Sequence, residues 1–294
     1  MVCDLDKILS MAEQIASRLN RLEKDLPEGL IVDAAWLQER GIASNLRAYY
    51  VKNGWLEQPV RSVYKRPRGT LSWQQVVISL QTLLLRRPLY VGGRTALELQ
   101  GFAHYLVHET KIVHLYGPEK PPSWLNKLNL PQRFVYHNST TLFRNDPITN
   151  KLGSLIWNIA DGTGRDLAHL QGSGLTSLSW GQWDWPLTLS QPERAYLEML
   201  NELPQHESFD QADMIMQSAA NFSPRRLQKL LVNCDSVKVK RLFFYFADRH
   251  GHAWLKRLDK KAIDLGSGKR MLVPGGRLDP VYLITIPEGF DAVS

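Results

Sequence analysis

The sequence predicts an α+β protein, with an N-terminal winged helix-turn-helix followed by a larger mixed helix–strand C-terminal region. Three observations predict it. Two short helical stretches joined at Gly41 precede two short extended stretches, the order of a helix-turn-helix and its wing. From residue 71, short apolar or alternating runs interleave with helical periodicity. Beyond residue 188 helical patterns dominate until a hairpin pattern closes the chain. A chain of 294 residues is too long for one small domain. The expected division is 1–70 for the winged helix, 71–187 for an α+β middle region and 188–294 for a helical region with a closing hairpin.

Leu5, Ile8, Leu9, Ala12, Ile15, Ala16, Leu19 and Leu22 recur at helical spacing, and this first helix ends near Leu26-Pro27. Leu30-Ile31-Val32 reads as extended. Asp33 suits the cap of a helix over Ala34 to Glu39, because its carboxylate accepts from otherwise unpaired first-turn amides. Gly41 turns the chain, Ser44 is the expected cap of a helix from Asn45 to Asn53, and Gly54 tolerates the positive φ that ends it. Trp55 to Pro59 and Ser62 to Arg66 flank Val60-Arg61 as the two strands of a wing.

Turning the second helix by about 100° per residue groups Leu46, Tyr49, Tyr50 and Asn53 on a core side. Ser44, Asn45, Ala48 and Lys52 lie opposite, with Arg47 at the flank. That face is short, polar and cationic, as a helix entering a major groove requires. Asn45 and Arg47 are the expected base contacts; Lys52, Arg61, Lys65, Arg66 and Arg68 are the expected phosphate contacts. Charge supports this, since residues 40–70 hold seven cations against Glu57 alone. The alternative is a solvated basic face on a protein-binding winged helix.

In the middle region, Trp73 to Leu85 and Thr95 to Tyr105 have helical spacing. Lys111 to Tyr116, Arg133 to Tyr136 and Thr140 to Phe143 read as strands, and Leu175 to Trp185 as extended. His104 and His108 have a metal-ligand spacing, with His114 nearby, but no third ligand is fixed, so hydrogen-bonded or exposed histidines are expected. Gly92-Gly93-Arg94-Thr95 is a possible anion cradle at a helix start, although the glycines are expected only to turn the chain. Asp161 and Asp166 have no partner and read as loop residues.

In the last third, Ser190-Gln191-Pro192-Glu193 has capping-box spacing, and Ser208 to Gln211 repeats it. Ser223-Pro224 opens a third helix, Asn233 to Ser236 breaks it, and Val239, Leu242, Phe243 and Phe246 mark a fourth. Ile263 to Val273 and Val281 to Ile286 are the expected closing strands. Arg225, Arg226, Lys229, Lys238, Lys240 and Arg241 stand against Asp235 alone, with Lys269, Arg270 and Arg277 beyond them. These form either a solvated face or a second surface for nucleic acid or an acidic partner. Gly266-Ser267-Gly268-Lys269-Arg270 lacks the first glycine and the final Ser or Thr of a phosphate-binding loop, so nucleotide binding there is not expected.

The bulk numbers narrow the class. No apolar run approaches the ~18 residues of a membrane span, and Asp4 and Asp6 stand where a signal peptide needs positive charge. Two cysteines, Cys3 and Cys234, exclude a disulfide framework or a paired-thiol zinc site and fit a reducing cytoplasm. A net charge of +7 favours a polyanionic partner. With no nucleophile–base pairing, metal triad or intact nucleotide loop, a non-enzyme without cofactor or metal is expected.

Three stretches resemble the AbiEi family of antitoxins and transcriptional regulators in type IV toxin–antitoxin systems. They are Val32 to Pro67; Tyr90-Val91-Gly92-Gly93-Arg94-Thr95-Ala96-Leu97-Glu98-Leu99-Gln100-Gly101 with His104-Tyr105; and a third group. That group comprises Ser190-Gln191-Pro192-Glu193-Arg194-Ala195, Ser236-Val237-Lys238-Val239-Lys240-Arg241-Leu242-Phe243 and Asp264-Leu265-Gly266-Ser267-Gly268-Lys269-Arg270. The resemblance implies a winged helix that binds inverted repeats in the operon's own promoter and represses it. It implies a C-terminal region that counteracts a nucleotidyltransferase-like toxin without a stable complex. It supplies no catalytic residues, and it places the recognition helix at Ser44 to Lys52 and the wing at Arg61 to Arg68. Binding of the toxin or its RNA target through the basic C-terminal region, or enzymatic reversal of the toxin's modification, are the alternatives.

Overall fold

The computed structural model describes residues 17–84, 89–102, 110–144 and 172–290. Most of the expected first helix, His104, His108, Asp161 and Asp166 lie outside them. A helix over residues 17–25 buries Leu22, and Leu26 just after it is buried too. Strands β1 (Ile31–Asp33), β2 (Glu57–Val60) and β3 (Val63–Lys65) form an antiparallel sheet in the order β1-β3-β2. Helices α1 (Ala34–Glu39) and α2 (Ser44–Lys52) connect β1 to β2. The Asp33 carboxylate accepts from the Trp36 amide at 2.9 Å, as a cap must. Gly41 and Gly54 take φ of 75° and 71°, the left-handed values their turns need. Pro59 lies on edge strand β2, where its missing N–H breaks no interior ladder.

Helix α3 (Trp73–Thr82) opens with a full capping box between Ser72 and Gln75. It is wedged between two sheets. On one side the Ser79 hydroxyl accepts from the Ile31 amide of β1 at 2.9 Å. On the other, Gln81 donates to the Thr188 carbonyl and accepts from the Thr188 amide, both at 2.9 Å. The second sheet contains β4 (Tyr90–Val91), β5 (Ile112–Gly117), β6 (Arg133–Asn138), β7 (Leu175–Trp180) and β8 (Trp185–Ser190), in the order β6-β5-β4-β8-β7. Its β5–β6 and β4–β8 pairs are parallel and its β4–β5 and β7–β8 pairs antiparallel. The run from Leu175 to Trp185 is thus one strand and a turn, which a second strand reaching Ser190 completes as a hairpin. The expected strand at Thr140 is a 3-10 turn instead, because the Asn138 side chain caps the Thr140 amide.

Helices α4 (Gly93–Leu99), α5 (Pro192–Asn201), α6 (Phe209–Ser218), α7 (Pro224–Asn233) and α8 (Val237–His250) cover the sheet and pack on one another. Ser208 and Ser223 cap α6 and α7 as their positions predict, and Ser236, expected only as part of a break, caps α8. The box expected at Ser190 does not form: Gln191 is the N-cap and makes no side-chain cap bond. Ser190 donates to Glu198, and Glu193 accepts from the Ser223 amide, so tertiary partners outbid the local one. Residue 187 lies inside β8, so the middle and last regions share a strand. The closing hairpin shrinks to β9 (Arg277–Leu278) and β10 (Thr285–Ile286). Positive φ at Gly266, Gly268 and Gly275 breaks the long strand expected before it.

Candidate nucleic-acid interface

α2 begins at Ser44 with Ala43 as its N-cap, so Ser44 does not cap and stands in the first turn. Ser44, Asn45, Ala48 and Lys52 are all exposed, as the predicted face requires. Tyr50 is fully buried and packs edge-on against Trp55, centroids 5.3 Å apart. Tyr49 and Asn53 depart from the expected core side: both are exposed. The wing turn is Arg61–Ser62, one residue later than expected, with Ser62 at φ 67°. Arg61 is exposed at its tip. Helix and wing therefore present Asn45, Lys52 and Arg61 to solvent.

Two predicted contact residues serve the fold. The Arg47 guanidinium donates to the Ile42 carbonyl at 2.8 Å, the Gln38 side chain at 3.2 Å and the Ala34 carbonyl at 3.4 Å. It locks α2 against α1 rather than reaching outward. Lys65 is buried, with its ammonium 2.7 Å from Glu57 and donating to the Arg66 and Gly69 carbonyls. It pins the chain leaving the wing. Arg66 is half-buried and pairs with Glu28 at 3.1 Å and Glu23 at 3.6 Å. Arg68 is 82% exposed and 3.8 Å from Glu28, a loose surface pair that contributes little.

The C-terminal cations divide similarly. Arg226 makes a two-pronged contact to the buried Glu193 carboxylate, both bonds 2.9 Å. Lys229 donates to the Gly172 carbonyl and Lys238 to the Asn201 and Leu203 carbonyls. Burial pushes the Lys238 ammonium below its ordinary pKa, and Lys240 is buried as well. Arg241, 2% exposed, donates to the Leu265 and Gly268 carbonyls at 2.7 Å each. Arg225, Lys269, Arg270 and Arg277 remain exposed.

Two family models match the chain. Residues 15–108 match the N-terminal domain of a transcriptional regulator, AbiEi antitoxin, and residues 165–287 match the transcriptional regulator, AbiEi antitoxin, of type IV toxin–antitoxin systems. The chain belongs to the AbiEi antitoxin family. No curated protein matches it. Among solved structures it is similar to the Rv2827c protein from Mycobacterium tuberculosis, at 16% identity and a TM-score of 0.49. That likeness covers 92% of this chain and 90% of the other.

In this AbiEi protein the stretches that carry the resemblance meet inside the core. Glu198 is fully buried and accepts from Arg194 at 2.9 Å, Ser190 at 2.8 Å, the Gly93 amide at 3.0 Å and Tyr90 at 3.1 Å. The anion at the start of α4 is thus the protein's own. A Cβ at Gly92 lies 2.4 Å from both Glu198 and Tyr116, so only glycine fits. Arg241 explains the Asp264–Arg270 loop: its carbonyls converge on a guanidinium, whereas a phosphate loop must aim N–H groups outward. Neither arrangement is readable from spacing, since the partners are far apart in sequence.

The sequence also gave no sign of a hydrogen-bonded chain beside this network. Glu202 contacts His137 at 3.1 Å, His137 bonds His114 at 2.9 Å, and His114 lies 3.8 Å from Glu207. Arg94 bonds Glu98 at 2.8 Å and approaches Glu207 at 3.6 Å. Burial, with His137 beside it, lowers His114 to about 4. Burial raises Glu207 to about 7 against the pull of Arg94. Among the described residues no group of three or more His, Cys, Asp and Glu is placed to hold a metal ion.

Proposed function

We propose that this AbiEi protein represses its own operon by docking α2 in the major groove of inverted repeats in its promoter, in the cytoplasm. Asn45 offers a base contact, while Lys52, Arg61 and Arg68 neutralise phosphates. The observation that carries the reading is the exposed polar and cationic face shared by α2 and the wing tip, in a domain that matches a regulator's N-terminal model. The C-terminal region then acts against a nucleotidyltransferase-like toxin. Arg225, Lys269, Arg270 and Arg277 are its available cations, and they favour a toxin or RNA surface as the second reading.

The test is binding of the full chain to its upstream DNA and to scrambled DNA across a salt series. The Lys52→Ala/Arg61→Ala double variant should bind more weakly on both DNAs, its log–log salt slope shallower by about two. Asn45→Ala should narrow the gap between the two DNAs. Equal parental affinity for both sequences would overturn repression by sequence recognition. Charge reversal at Lys269 and Arg270 that abolishes rescue from the toxin, with promoter binding intact, assigns those residues to the antitoxin role.

A further inference from the structure

The wing's exit and the β7–β8 hairpin flank a half-open cavity of about 690 Å³, of whose lining the DNA-binding reading uses Arg68 alone. Its volume falls in the range of small-molecule sites, roughly 300–1,000 Å³. One wall is Glu28, Arg66 and Arg68; the other is Trp180, Trp183 and Trp185. Trp180 and Trp185 are cross-strand partners at the hairpin's end, and Trp185 is buried. Trp183 sits on the turn between them and is 64% exposed. A tryptophan left in water forgoes the burial that its large ring otherwise gains. Here it stands on a turn with positive φ at Gly181 and Asp184, lining the same cavity as Arg66 and Arg68.

We propose that this cavity binds a phosphorylated nucleobase, the base stacking on Trp183 and the phosphate meeting Arg68. Stacking suits a base because every base has a π-face, and a guanidinium beside it supplies the anion's partner. Arg68 is available because its pair with Glu28 is long and its side chain is mostly in water. The opposite wall is fixed: Lys65 holds the Arg66 and Gly69 carbonyls, so the loop bearing Arg68 is anchored at both sides. Gln182 also lines the cavity and offers an amide group to a base edge, as does Gln75 through its Nε2, its Oε1 being taken by the Ser72 amide. The occupant is a free nucleotide or the end of a single strand, which share this chemistry. The site requires no duplex; it shares Arg68 with the proposed promoter contacts, while Trp183 belongs to the cavity alone.

Calorimetric titration of the full chain tests it, using nucleoside monophosphates, the matching nucleosides, inorganic phosphate and a short single-stranded oligonucleotide. Monophosphates should bind saturably, more tightly than nucleosides or phosphate alone. Trp183→Ala should weaken that binding about tenfold. Arg68→Ala should weaken monophosphates but leave nucleosides unchanged. Both side chains are exposed, so neither variant should shift the melting temperature. Binding of the oligonucleotide alone, with the same sensitivity to both variants, supports the site and identifies a strand as its source. Absence of saturable binding by every probe would overturn the proposal. Binding that both variants leave intact, or phosphate binding as tightly as nucleotide, would do so too.

Discussion

Glu207 lies 2% exposed beside Arg94 and His114, with the Glu98 and Glu202 carboxylates nearby. Its pKa rises from 4.5 to about 7, so the folded protein keeps a proton there that the unfolded chain releases. Stability from this site is present in full below the unfolded value and lost as pH rises through about 7. His114 runs the other way. Its pKa falls from 6.5 to about 4, so its contribution is present above 6.5 and lost as pH falls through about 4. The two slopes oppose each other where their windows overlap, between 4.5 and 6.5, and mask one another in the parent there. Glu207→Gln removes only the first. Relative to the parent it should gain stability between pH 5 and pH 8, on the order of 2–3 kcal/mol. Urea unfolding at both pH values reads this directly, and parallel profiles would show that Glu207 does not hold the extra proton.

At the scale of elements, tertiary contacts decide more than local spacing. Arg241 of α8 holds the Leu265 and Gly268 carbonyls. Arg241→Lys keeps the charge but loses the fork that reaches both carbonyls at once. Amide exchange over residues 264–270 should quicken, with about 1.5–3 kcal/mol lost from global stability. Exchange mass spectrometry that finds this loop unchanged would assign its order to some other contact. The same logic explains what the sequence made legible. Asp33, Ser208 and Ser223 act on amides within a turn of themselves and Gly54 takes the positive φ its own turn needs, so the winged helix and the last helices were readable. Ser190 and Glu193 had the right spacing but found partners up to 33 residues away. Arg47 and Lys65 had the right charge, but folding turned them inward. Exposed Asn45, Lys52 and Arg61 survived as a face because helical rotation and a wing turn are local geometry; the tryptophan cavity needed β8 brought beside β1's domain.

Across the whole molecule, α3 is the joint. One hydrophobic cluster runs from Leu22 to Ile286, with Trp73, Val76 and Val77 of α3 in it. The hydrogen bond between the Ile31 amide and Ser79 ties the small sheet to this helix, and Gln81 ties the helix to β8. A chain of this length often unfolds in stages. Here the winged helix has no boundary free of buried contacts, because α3 packs on β1 and β8 alike. Thermal unfolding followed by far-ultraviolet dichroism and by tryptophan fluorescence should therefore give one coincident transition. Ser79→Ala leaves the buried Ile31 amide without its acceptor and should cost about 1–3 kcal/mol. If the joint is sound, both probes shift together by the same amount. If the variant instead splits the curve, with the wing melting first, the two sheets are coupled only weakly, and occupancy of the cavity between them would not be felt at the DNA-facing helix.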